Sequence, residues 1–253
     1  PAVETRKRRS RDRCADYDSR LHGALIEDTN STTVVMSYMH VPGETGENRH
    51  NALEFLIRHY CSMSCVSRVI VVWHSLFHAP PSTSTCPGSA RTLIMYETFD
   101  HDSLLNRFTP SELILTPSFI TTDDDVLVEE SDVQAMINLW SQERNKVVGP
   151  FVRWVSPKRE YAYSFKNVPD VSYSMVLTKF HISATVLMHR IYCSPEYDIH
   201  RKFIDQTTNS EDLLYIRSAI DAFGRGNPSL LYRNNKTIVD FGTIGLHSRK
   251  DHN

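Results

Sequence analysis

The run Arg68-Val69-Ile70-Val71-Val72-Trp73 constrains this chain more than any other stretch. Its β-branched residues follow one another without a polar break, as expected of a strand buried on both faces. The segment before it supplies a cover for one face. From about Asn48 to Tyr60, the residues Ala52, Leu53, Leu56, Ile57 and Tyr60 recur at helical spacing and make one apolar stripe. Earlier still, Thr33 to Tyr38 is a short β-prone run, and Val41 to Glu47 is rich in turn residues. Strand, helix, strand is a βαβ signal. It predicts an α/β fold with a mixed, mostly parallel central sheet flanked by helices.

The alternation continues downstream. Residues 79–90 are rich in Pro, Ser and Thr and read as a loop. Strands are expected at Arg91 to Tyr96, Pro117 to Thr122, Val147 to Trp154 and Tyr173 to Thr178, with a short helix around Asp102 to Phe108. A helix should run from Ser131, a good N-cap, to Arg144, with Val133, Met136, Ile137 and Trp140 as its apolar stripe. A last helix should begin near Asn209 or Ser210 and bury Leu213, Leu214, Ile216, Ile220 and Phe223. Residues 1–31 are polar and read as a flexible basic tail, its Arg6 to Arg13 cluster a solvated charge run.

Composition excludes some classes of function. With 253 residues, the chain is long enough for an ordinary core, and a formal net charge of −2 gives no drive toward nucleic acid or anionic membrane. No apolar run reaches the roughly 18 to 20 residues of a membrane helix. The chain begins at Pro1, so an anchor or signal upstream stays open. Of the five cysteines, Cys61 and Cys65 lie four apart, but no second pair completes a zinc set, and the odd count leaves a thiol over. The sequons at Asn30 and Asn235 are compatible with a glycoprotein of the secretory pathway.

The chemistry concentrates in Asp123-Asp124-Asp125, which the strand Pro117 to Thr122 runs into directly. Three adjacent carboxylates at a strand end must be solvated, hydrogen-bonded or neutralised by a cation. Open α/β sheets bind ligands at the carboxyl ends of their strands. Hard oxygen ligands there suit Mn²⁺ or Mg²⁺ and, through the ion, a diphosphate. A solvated acidic turn capping the next helix is the alternative at this point.

The surrounding motifs narrow the choice. Ser103-Leu104-Leu105-Asn106-Arg107-Phe108, followed by the acidic triplet, resembles glycosyltransferase family 64, the exostosin-type enzymes. So do Asn48-Arg49 opening the first helix with His59-Tyr60 near its end, the strand Val69 to Trp73, Trp140 followed by Val147-Val148-Gly149, and Tyr173-Ser174-Met175-Val176-Leu177. Asn209-Ser210-Glu211-Asp212-Leu213 is similar to that family's Asn-Cys-(Asp/Glu)-Asp-Ile catalytic segment. The resemblance spans residues 32–253. It implies a GT-A fold with a DXD-type metal motif, a nucleotide-binding half of about 32–125 and an acceptor half of about 126–253.

The resemblance also implies roles for residues. Arg49, Asp102 and Arg107 fall where the family contacts the nucleotide or its diphosphate, work for which the planar, always-charged guanidinium suits arginine. His74 falls at the base. Asp123 and Asp124 fall at the ribose and donor sugar, and Asp125 on the metal ligand. Glu211 and Asp212 fall at the reacting sugar, Asp212 on the catalytic carboxylate, although both would also suit a helix's first turn. The implied reaction moves a hexose or N-acetylhexosamine from a nucleotide-sugar, UDP before GDP, to a glycan or glycolipid hydroxyl, forming an α-linkage with retention. The implied setting is the lumen of the Golgi or endoplasmic reticulum, as a type II membrane protein at full length, with a homo-oligomer open.

Several positions depart from the family pattern. His74 stands in place of Asn, the Val41 to Glu47 loop is longer, and Ser210 replaces the Cys of a disulfide. A basic residue that helps hold the donor usually lies just past Gly245 to Arg249, so His247, Arg249 or Lys250 would have to serve. These departures keep open a degenerate, non-catalytic nucleotide-sugar-binding or partner subunit. A two-metal phosphohydrolase would need further His or Asp ligands, and no such spacing is present.

Overall fold

The computed structural model describes residues 31–39, 44–74, 79–82, 84–86, 92–98, 103–108, 113–155, 161–164, 176–207, 211–224, 229–233 and 237–241. The basic tail, both sequon asparagines, Cys14, Asp102, Ser210 and the His247 to Lys250 segment lie outside them.

The β-branched run forms β2 (Val66–His74) beside β1 (Thr32–Met39), in parallel, with α1 (Glu44–Ser62) between them in sequence. Valines 69 and 71 and Ile70 are fully buried, as a strand covered on both faces requires. Further strands are β3 (Ser84–Thr85), β4 (Leu93–Thr98), β5 (Ser118–Asp123), β6 (Val126–Leu127), β7 (Val147–Gly149), β8 (Val152–Val155), β9 (Tyr161–Ser164), β10 (Val176–Leu177), β11 (Phe180–Ala184), β12 (Ser229–Leu231) and β13 (Val239–Asp240). The central sheet has eight strands in the order β12-β7-β11-β5-β1-β2-β4-β3. Pairings β1–β2, β1–β5, β2–β4 and β7–β12 are parallel, whereas β11 runs antiparallel to both β5 and β7. A three-stranded sheet, β10-β8-β9, and a two-stranded one, β13-β6, complete the strand pairing. The fold is therefore mixed α/β with a mostly parallel central sheet.

Helices α2 (Glu130–Gln142), α3 (Thr185–Cys193), α4 (Asp198–Thr207) and α5 (Glu211–Phe223) follow. Two apolar clusters result. In one, Leu53, Leu56 and Tyr60 of α1 lie with Val133, Met136, Ile137 and Trp140 of α2; in the other, α3 and α5 meet the alternate residues Val35, Ile70 and Val72. Alternation along each strand divides its side chains between the clusters.

Several local expectations change. Helix α1 begins at Glu44, so most of the expected turn is helical. Ser131 lies inside α2, whose N-cap is Glu129 with an extended backbone. The position is set by Asp132, which is buried and accepts from the hydroxyls of Tyr232 (2.6 Å) and Thr237. Val147 to Trp154 is two strands, because Pro150 has no N–H for a ladder; the chain leaves one sheet at Gly149 and enters another at Val152. A two-residue strand, β3, interrupts the 79–90 loop. In α5 the inward side carries Asp212, Tyr215, Ile216 and Ala219, and Leu213 is left 54% exposed with Phe223 also at the surface. Asp212 and Tyr215 have partners inside, and one further residue turns a helix by about 100°.

Candidate active site

Strand register brings the expected residues to one edge. Strands β1, β2 and β5 are parallel, with Ser37 opposite Asp123 and Met39 opposite His74. Their carboxyl ends therefore open on the same side. His74 is the last residue of β2, one step earlier than its expected place beyond the strand. Phe119 and Ile120 anchor β5 in the core, so the apolar part of the strand fixes where its acidic end emerges.

Each aspartate of the triplet has a different partner. Asp123 accepts from Arg107 Nη1 at 2.7 Å. Asp124 takes a two-pronged contact from Arg49, Nε at 2.5 Å and Nη2 at 2.8 Å, with both side chains buried. Burial raises the Asp124 pKa while Arg49 pulls it back; burial opposes the Arg49 charge, and Asp124 more than offsets that. Asp125 meets Lys179 Nζ at 3.3 Å through Oδ2, and its Oδ1 is buried without a hydrogen-bond partner. Burial, then the Asp123 charge, push the Asp125 carboxyl up to about 6, with Lys179 acting against them.

The segment after the triplet is clamped from α1. Tyr60 donates its hydroxyl to the Val126 carbonyl and His59 donates to the Val128 carbonyl, each at 2.9 Å. On the other flank, Asp123 N–H donates to the Lys179 carbonyl at 3.1 Å. Gly149 lets this region close: a Cβ there would lie 2.6 Å from the Phe180 carbonyl oxygen.

The first turn of α5 joins the same edge. Phe108 stacks on Tyr215 with centroids 4.9 Å apart, which sets α5 against the 3₁₀ turn Leu104–Phe108 that carries Arg107. Burial raises the Glu211 pKa against the opposing charge of Arg107. Asp212 is buried and accepts from Arg153 at 3.0 Å. Arg49, Arg107, Asp123, Asp124, Asp125 and Glu211 thus form one electrostatic group, with Asp212 beside it in the same helical turn.

Other members were not foreseen. Lys179 bridges Asp125 and Asp240, the latter at 2.7 Å. Arg153 holds Asp212, and Tyr38 packs on Trp73 (4.8 Å) with His50 nearby and Arg49 over the Tyr38 ring. Beneath Arg107, His181 is fully enclosed against Tyr215, and burial pushes its pKa down to about 3. A lone lysine between Met175-Val176-Leu177 and the alternating Phe180-His181-Ile182 was the sequence signal available for Lys179.

An oxygen-preferring cation fits this chemistry on one observation, the bare Asp125 Oδ1. Among the described residues no three His, Cys, Asp or Glu side chains converge to hold an ion unaided. The ion would therefore draw most of its ligands from water or substrate, as Mg²⁺ and its like commonly do at phosphate sites.

The family model described as "Glycosyl transferase family 64 domain" matches residues 32–220. Glycosyltransferase family protein 64 C3 of Arabidopsis thaliana is 28% identical over 232 residues, covering 81% of this chain and 67% of that protein. Glucosamine inositolphosphorylceramide transferase 1 of the same plant is 24% identical over 188 residues, 74% of this chain and 24% of its own length. Mouse (Mus musculus) exostosin-1 is 27% identical over 166 residues, 64% of this chain and 21% of its own. The chain thus spans about a quarter or less of the two longer relatives. Among solved structures, a 4-diphosphocytidyl-2C-methyl-D-erythritol synthase from Anaerococcus prevotii is 10% identical, with a TM-score of 0.48 over 84% of this chain and 93% of that one.

Proposed function

Because this chain belongs to glycosyltransferase family 64, we propose that it is a metal-dependent, retaining glycosyltransferase. It moves a hexose or N-acetylhexosamine from a nucleotide-sugar, UDP before GDP, to a glycan or glycolipid hydroxyl, and the new bond is an α-linkage. The observation that carries this reading is the Asp125 Oδ1, buried and unpartnered at the carboxyl edge of a parallel sheet. The two neighbouring aspartates are each committed to an arginine, which leaves Asp125 as the carboxylate with room for an ion.

Roles follow from position. Asp125 would hold Mn²⁺ or Mg²⁺, which when bound neutralises charge on the leaving diphosphate. Arg49 and Arg107 offer their remaining N–H groups to the diphosphate; Arg107 has a buried Nε with no partner in the protein. Trp73 with His74, and Tyr38 behind, form the wall against which the base rests, and Asp123 and Asp124 take the ribose and donor sugar. Asp212, steadied by Arg153, faces the positive charge that develops at the anomeric carbon. Glu211 stands beside it. Residues 32–125 supply the nucleotide half and 126–253 the acceptor half.

The setting is the secretory pathway, in the Golgi or endoplasmic reticulum. The Cys61–Cys86 disulfide suits such an oxidising lumen. Among the described residues no helix is long and apolar enough to cross a membrane; the type II anchor belongs to this reading of the full-length protein.

Thermal shift with UDP and GDP, with and without Mn²⁺, tests binding, and product analysis with UDP-sugars tests transfer. Stabilisation by UDP should require Mn²⁺ and should vanish in Asp125→Asn, which still folds. Undiminished Mn²⁺ dependence in that variant would overturn the metal assignment. A second reading, nucleotide-sugar binding without turnover, draws on His74 and Ser210 standing where the family pattern has Asn and Cys. Retained Mn²⁺-dependent binding with no transfer product would select it.

A further inference from the structure

We infer that Lys179 is a second cation of the diphosphate site, sharing Asp125 with the divalent ion; this rests on the reading just proposed. The backbone delivers this side chain at a cost. Lys179 lies in the turn between β10 and β11 at φ 56°, the only non-glycine residue with positive φ among those described. Asparagine or glycine occupies that region more readily than lysine. The turn is nonetheless pinned, by Asp123 N–H to the Lys179 carbonyl and by Thr178 N–H to the Phe151 carbonyl, each 3.1 Å. A residue that strains the turn and projects its charge onto the acidic edge serves that edge.

Its ammonium is placed between two carboxylates, 2.7 Å from Asp240 and 3.3 Å from Asp125, and the side chain is 18% exposed. Asp123 is already held by Arg107. One ammonium therefore faces two carboxylates, and Asp125 keeps its bare Oδ1. A divalent ion arriving alone meets a cation already on the same carboxylate. With the ion in place the edge gains two positive charges beside Lys179, which favours a nucleoside diphosphate. Ion and diphosphate should accordingly bind together, and Lys179 couples them by turning from Asp125 toward the phosphate oxygens.

The test compares the unaltered protein with Lys179→Asn, which tolerates the left-handed backbone, and with Asp240→Asn, which keeps the ammonium. Titrations use Mn²⁺ alone, uridine alone, and UDP or GDP with and without Mn²⁺. In Lys179→Asn, Mn²⁺ alone should bind about tenfold tighter and UDP with Mn²⁺ about tenfold weaker, with uridine unchanged. Asp240→Asn should retain UDP binding. Unchanged UDP affinity in Lys179→Asn makes Lys179 a clamp between β5 and β13 and overturns the inference. So does an equal loss of UDP in Asp240→Asn. If Mn²⁺ has no effect on the unaltered protein, the metal reading fails by itself, and Lys179 stands only if its replacement erases the preference for UDP over uridine. A protein that binds neither UDP nor GDP overturns both.

Discussion

Replacing His181 by leucine should make the protein less sensitive to acid. His181 lies on β11 with its ring against Tyr215 and Arg107 nearby, and its Nδ1 has no hydrogen-bond partner. Burial, assisted by the Arg107 charge, pushes its pKa from 6.5 down to about 3. Between those values the unfolded chain binds a proton that the folded protein refuses. The contribution is therefore intact above 6.5 and is lost as pH falls toward 3. At about pH 4.5 the two-unit gap from 6.5 corresponds to about 2 to 3 kcal/mol. Asp125 acts in the opposite sense: with its folded pKa raised to about 6, the folded state binds more protons between 3.8 and 6, and stability falls as pH rises through that window. Whole-protein curves mix these slopes, so the difference between the unaltered protein and His181→Leu isolates the histidine. Urea unfolding followed by tryptophan fluorescence, from about pH 7.5 to 4.5, gives that difference. It should shift by about 2 to 3 kcal/mol in favour of the variant on acidification. Parallel curves for the two proteins would show that His181 is not held neutral, and the burial argument would fail.

Gly149→Ala should cost about 1 to 3 kcal/mol in urea unfolding, because the added Cβ meets backbone, the Phe180 carbonyl, rather than a movable side chain. Arg49→Met should cost about 3 to 5 kcal/mol by leaving Asp124 buried and unpaired, and adding Asp124→Asn should restore much of it. Asp212→Asn should lower transfer rate far more than donor affinity; a loss of only about 0.3 to 1 kcal/mol in stability with normal transfer would reduce it to a helix-end charge.

The fold was legible wherever burial wrote itself into a local apolar pattern. β2 and the α2 stripe are such cases, since their pattern depends on local spacing alone. The antiparallel β11 was not legible: Phe180-His181-Ile182-Ser183-Ala184 alternates over only five residues, and its partners β5 and β7 are distant in sequence. The same limit hid its charged neighbour Lys179. An acidic triplet announces itself by composition, whereas the cations answering it come from α1, the 3₁₀ turn and the β10–β11 turn. Asp212 shows a third kind of shortfall. Its place at a helix start was readable, but the inward turn toward Arg153, which sends Leu213 into solvent, depends on a partner on another sheet.

The central sheet ends on β3 with two residues and on β12 with three. A passing extended chain finds only two or three ladder positions on either of these end strands, and so gains little by pairing with them. This guards those two margins of the sheet against growing into aggregates. Copies of this domain meeting at those two end strands would do so mainly through side chains, with the backbone contributing little to the grip.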